Sequence, residues 1–127
     1  MTDGERFIAQ LPRKMRFYDR NERRAYEMTR AVAARLIDSP DLVGKAFSYM
    51  ERHMKDPNQS RAYATWRDLL EREVEDIVRL LLEDSPQGAF LRQTQPVFCV
   101  FPLDERERIL SRARATDAQI LVGDAPP

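Results

Sequence analysis

The sequence predicts an all-α fold, a single-domain bundle of about five helices with a short extended segment near 97–101. Three observations carry this expectation. Apolar residues recur at helical spacing over most of the chain. Proline, present eight times, falls between the periodic stretches rather than inside them. The run Val97-Phe98-Cys99-Val100-Phe101, bracketed by Pro96 and Pro102, is the stretch that reads as extended. The chain has 127 residues, which suits one domain. A chain of that size removes about two-thirds of its unfolded surface from water, so its core needs neither metal nor disulfide.

The elements follow in order. Residues 1–20 read as a basic leader arm whose first part ends at Pro12, residues 21–115 as the helical domain, and residues 116–127 as a flexible tail. Ala25, Met28, Val32 and Leu36 form the stripe of a helix over 21–37. Pro40 disfavours helical geometry at Ser39 and so ends that helix. Ser39 and Pro40 then supply an N-cap and a first-turn proline for a second helix to about Met54, burying Val43, Phe47, Met50 and Met54. The longest periodic stretch lies over 59–84, where Trp66, Leu70, Val74, Ile77 and Leu81 make a stripe widened by Leu69, Val78 and Leu82. Its other face offers opposite charges four apart, such as Asp68 with Arg72 and Arg72 with Asp76. Whether this stretch is one helix or two, broken near Glu71, stays open from sequence. Ser85 and Pro86 repeat the earlier corner and open a short helix to about Gln93, and Asp104 caps a last helix through Arg114.

Composition narrows the function classes. Lys and Arg total 21, as do Asp and Glu, so no global field draws the chain to nucleic acid or anionic membrane. One Cys cannot form an internal disulfide, and one His with one Cys cannot make a Cys/His zinc site. The expectation is no metal and no cofactor. The first thirty residues hold no apolar secretory core, and Leu80-Leu81-Leu82 is the longest aliphatic stretch, so the cytoplasm is the expected compartment.

Several constellations have both a functional and an ordinary reading. Arg13, Lys14, Arg16, Arg20, Arg23 and Arg24 crowd the arm against Asp19 and Glu22, with Phe17 and Tyr18 among them. Basic residues interleaved with aromatics suit phosphate contact and base stacking. Whole-chain neutrality favours instead a solvated lead-in anchored to the core by its aromatics. Residues 31–55 have helix-turn-helix spacing, and Lys45, Ser48, Tyr49 and Arg52 could reach DNA. Asp41 at the start of the second helix would repel phosphate. His53 lacks an orienting carboxylate on its own face and reads as a boundary residue. Cys99 reads as an inert core thiol. Glu71, Glu75 and Asp76 form an acidic patch that Arg72 and Arg79 neutralise. The scattered glycines build no phosphate loop. These readings argue against an enzyme.

Four segments carry a resemblance: Thr29-Arg30-Ala31-Val32-Ala33-Ala34-Arg35-Leu36, Tyr63-Ala64-Thr65-Trp66-Arg67-Asp68-Leu69-Leu70, Leu91-Arg92-Gln93-Thr94-Gln95-Pro96-Val97-Phe98 and Asp104-Glu105-Arg106. Together they resemble small bacterial helical proteins that are antitoxin-like companions of nucleotidyltransferase-type toxins. The resemblance implies a protein partner, a toxin encoded by a neighbouring gene, neutralised by complex formation. Fold-independent hot-spot preferences for Tyr, Arg and other large side chains make Tyr18, Tyr26, Arg92, Phe98 and Phe101 the candidate partner-binding residues. Phe98 is expected in the core and Phe101 at the surface, on opposite sides of a strand. The alternative is a DNA-binding transcriptional regulator that uses the basic arm, Arg13 to Arg24.

Overall fold

A computed structural model describes the backbone of residues 1–123 and the side chains of residues 1–115. Helix α2, Arg20–Asp38, is the axis of the molecule, since α1 (Asp3–Ala9), α5 (Val74–Leu81), α6 (Pro86–Thr94) and α7 (Leu103–Gly123) all pack on it. Asp19 caps it by accepting from the Glu22 N–H. Its buried face runs through Tyr26, Thr29, Val32, Ala33 and Leu36, while Ala25 and Met28 of the predicted stripe are half-buried. The face has turned because Tyr26 and Thr29, polar at their tips, find partners inside: Tyr26 Oη accepts from the Lys14 N–H, and Thr29 Oγ1 donates to Ala25 O and accepts from Gln95.

Helix α1, Asp3–Ala9, opens on a capping box between Thr2 and Glu5. It lies so close to α2 that a Cβ at Gly4 would sit 1.9 Å from Ala34 O. Only glycine permits that approach. The Gly4 N–H donates to Asp38 Oδ1 at 2.8 Å. The Thr2 hydroxyl first, then the Gly4 N–H and Arg35, hold the Asp38 carboxyl below its ordinary value. A lowered carboxylate stabilises above its unfolded value, about 3.9, and that stabilisation is lost as pH falls through the folded value. Acidification should therefore release α1 first. Protection of the Gly4 amide, taken against its intrinsic exchange rate at each pH, should fall below about pH 4 before α2 loses protection, and simultaneous loss would refute the local role of Asp38.

Seven α-helices and two 3₁₀ turns occur among the described residues, against the five helices expected. One addition is α1. The other comes from the 59–84 stretch, which divides into α4, Ser60–Leu69, and α5, Val74–Leu81. On either side of the break at Leu70–Glu73, Leu69, Leu70, Ile77, Val78, Leu81 and Leu82 are all buried. The break separates Arg72 from its predicted i,i+4 partners, and Arg79 pairs with Asp76 instead. Trp66, fully buried, donates to Thr94 Oγ1 at 2.9 Å.

The two Ser-Pro corners differ. Ser85 caps α6, Pro86–Thr94, by accepting from the Gly88 N–H. Ser39 instead ends α2, and α3, Leu42–His53, starts from Asp41 with no side-chain cap. Helix α3 buries Leu42, Ala46 and Met50 most deeply, with Val43 and Phe47 half-buried.

The expected strand at 97–101 is a 3₁₀ turn over Phe98–Val100, and no strand occurs among the described residues. Its curvature brings the Phe98 and Phe101 rings to one side, 6.5 Å apart. Their burial is the reverse of the expectation: Phe101 is 2% exposed, and Phe98 is half-buried against the core. The last helix, α7, spans Leu103–Gly123 and lies on α2. It starts one residue before Asp104 and runs beyond Arg114, so the expected tail has helical backbone to Gly123. Residues 124–127 lie outside the described residues.

Candidate protein-binding surface

The segment 10–19 carries Arg13, Lys14 and Arg16 of the six basic residues singled out, the other three lying in the first turns of α2, and it is pinned along its length. Lys14 donates its backbone N–H to Tyr26 Oη at 2.9 Å. Its ammonium reaches Asp84 at 2.9 Å and Glu22 at 3.3 Å. Asp84 chiefly, with Glu22, holds that ammonium above the ordinary lysine value. Arg13 pairs with Glu27. Phe17 lies on the Tyr26 ring at 5.5 Å, and Lys14 and Arg23 both sit over Phe17. The Tyr18 N–H donates to Glu22 Oε2 at 2.9 Å. Thus Arg13, Lys14 and Arg23 serve contacts within the chain, which argues against a free arm gripping phosphates.

Two of the side chains that the pinned segment offers to solvent are large and apolar. Tyr18 is 93% exposed and Met15 is 76% exposed, with Arg16 exposed between them. Sequence reasoning found Tyr18 but missed Met15, an apolar residue three positions earlier in a basic stretch.

Three other anchors proposed from sequence lie in the interior. Tyr26 is fully buried under Phe17, and Phe101 is in the core. Arg92 is 6% exposed, with Nη1 donating to Leu81 O and Glu83 O, while its guanidinium stacks 5.2 Å from the Tyr26 ring. These residues hold the fold and present no face to a partner. Tyr18, and in part Phe98, remain at the surface.

Two concave regions mark the surface of the described residues. An open groove of about 1200 Å³ runs between α1, α2 and α7, with Ile8, Ala31, Ala34 and Ala113 along it. A hollow of about 530 Å³ beside α3 gathers Lys45, Ser48, Tyr49, Arg52 and His53, the face considered for DNA, but Asp41 lines it too and lies 4.0 Å from Lys45. His53 is exposed and rests against the Tyr49 ring at 4.6 Å. Cys99 is half-buried rather than in the core, and its contact pushes the Tyr49 phenol up. Among the described residues no three His, Cys, Asp or Glu side chains converge as a metal site would need. No described helix is long and apolar enough to cross a membrane.

Comparison with protein-family models, curated proteins and solved structures finds no match to this chain.

Proposed function

We propose that this chain is a non-enzymatic protein-binding module, an antitoxin-like inhibitor that neutralises a partner encoded by a neighbouring gene through complex formation in the cytoplasm. The observation that supports the reading is the pinned segment 10–19, which holds Met15 and Tyr18 in water. Large apolar side chains on an immobilised backbone are a costly arrangement for a free monomer and a favourable one for binding. The backbone of the segment is already ordered before a partner arrives, so binding need not meet that part of the ordering cost. Tyrosine also ranks high among residues that anchor interfaces. Inhibition by covering a target's site asks for no catalytic group on the inhibitor. The resemblance of the 29–36, 63–70 and 91–98 segments to toxin companions supplies the class of partner.

Co-expression with the product of the adjacent reading frame should give a complex that survives gel filtration. Tyr18→Ala combined with Met15→Ser should weaken it at least about 30-fold, the equivalent of a 2 kcal/mol hot spot, while leaving helicity intact. A complex indifferent to this pair would move the interface elsewhere. Separate elution of every neighbour product would end the antitoxin reading.

A further inference from the structure

We propose that the hollow beside α3 binds the phosphate group of a small organic phosphate ester, held between Lys45 and Arg52 with the Ser48 hydroxyl donating between them. This site is independent of the partner-binding face at Tyr18. Lys45, Ser48 and Arg52 stand at i, i+3 and i+7 of one helix, so they share a face over about 10 Å of rise. All three line the hollow and are exposed. Among the described residues, neither Arg52 nor the Ser48 hydroxyl has a hydrogen-bond or ion-pair partner. Lys45 reaches only Asp41, at 4.0 Å, with both groups mostly exposed. Such a pair contributes little and can open for a ligand.

The balance of charge favours an anion. Asp41 is the one carboxylate among the described residues that line the hollow, and it lies in the field of Arg35 as well as Lys45. Lys45 and Arg52 outnumber it. Arg106 of α7 adds positive field at Tyr49, which lines the same hollow, and its Nε is out of water with no acceptor among the described residues. A guanidinium, an ammonium and a hydroxyl arranged around one point suit the several acceptor oxygens of a phosphate better than the two of a carboxylate. Asp41, with Glu51 further along α3, also interrupts any basic track that a nucleic-acid backbone would follow. The space suits a small molecule: about 530 Å³ falls within the roughly 300–1,000 Å³ of ligand pockets. Val100 and Tyr49, whose hydroxyl is taken by Cys99, are half-buried and offer apolar surface to the ester's organic group. Gly44 leaves the wall of the hollow open. A Cβ there would meet nothing within 4 Å, so no packing within the chain requires glycine where it weakens the helix.

The test follows the backbone amides of the full chain by NMR while phenyl phosphate, inorganic phosphate, benzoate or a short DNA duplex is added at one salt concentration. Phenyl phosphate should shift the Ser48 and Arg52 amides with a Kd below about 1 mM. It should bind at least about tenfold more tightly than inorganic phosphate or benzoate. Arg52→Gln and Lys45→Gln, both at the surface, should each weaken it about tenfold. Gly44→Leu, for which the free chain has room, should fill the hollow and weaken it at least as much. Absence of any shift at about 10 mM phenyl phosphate overturns the proposal. So does a Kd that the three variants leave unchanged, which would place binding elsewhere. Benzoate binding as tightly as phenyl phosphate overturns the assignment to phosphate, and inorganic phosphate doing so overturns the role of the organic group. A duplex that shifts the same amides at lower concentration would give the face to nucleic acid and overturn the small-ligand proposal.

Discussion

Replacing Phe101 with alanine should destabilise the protein by roughly 3–5 kcal/mol, the usual cost of emptying a buried aromatic site. The ring is 2% exposed, and Phe98 reaches it at 6.5 Å on the same side of the 3₁₀ turn. Two constraints prevent the site from collapsing around the lost volume. The Phe101 N–H is tied to Phe98 O at 3.3 Å, and Pro102 follows directly before α7 begins. The backbone cannot slide inward without disturbing the start of a helix that packs on α2. Phe98→Ala removes a half-buried ring and should cost only about 1–2 kcal/mol. Urea melts of the two variants, compared at unchanged slope, measure the difference. Equal destabilisation would mean that the two rings share the core equally. A domain of this size has ~5–15 kcal/mol in all, so Phe101→Ala should also melt well below the native chain.

The all-α class was legible because burial imposes a period on a helix whatever its neighbours are. The Trp66 to Leu82 stripe shows this: most of its members are buried as the spacing predicts. The break inside that stripe, near Glu71, stayed open from sequence, because neither proline nor glycine marks it. It is set by the need to keep Leu69 and Leu70 in the core while α5 turns to meet α2 and α6. The 97–101 run misled for a related reason. Apolar residues between two prolines fit a buried strand or a tight turn equally well, and only the turn brings the Phe98 and Phe101 rings to one side. The candidate site was half legible. Residue type alone ranks Tyr26 and Arg92 as anchors, yet hot-spot chemistry and core chemistry use the same side chains. Which of them faces water is decided by tertiary partners, here Lys14, Phe17, Leu81 and Glu83. Tyr18 escapes burial because its backbone, not its ring, carries the tether to Glu22.

Arg92→Ala should cost about 3–5 kcal/mol, comparable to Phe101→Ala although no large apolar group is lost. The guanidinium closes the end of α5, where the last carbonyls of a helix have no partners of their own. Nη1 donates to Leu81 O at 2.8 Å and to Glu83 O at 2.9 Å, and its charge opposes the negative end of the helix dipole. Burial pulls the group below its ordinary value, and the Tyr26 face beneath it returns part of that cost. The packing around it leaves little slack. A Cβ at Gly88 would lie 3.0 Å from Nη1 and 2.1 Å from Glu83 O, so α6 and the end of α5 touch through glycine and guanidinium alike. Alanine would leave Leu81 O unmet and Glu83 O with the Ser85 N–H alone, as well as a cavity beside Tyr26. Arg92→Met fills much of the cavity without restoring a donor, so it should recover less than half of the loss. Arg92→Lys keeps the charge on a shorter reach and should recover more than methionine does. Thermal melts rank the three, and hydrogen exchange at Val78, Leu81 and Leu82 reports whether α5 frays from its C-terminal end. If methionine proves as stable as arginine, the two carbonyl bonds contribute nothing net, and Arg92 acts only as apolar filling between α5, α6 and Tyr26.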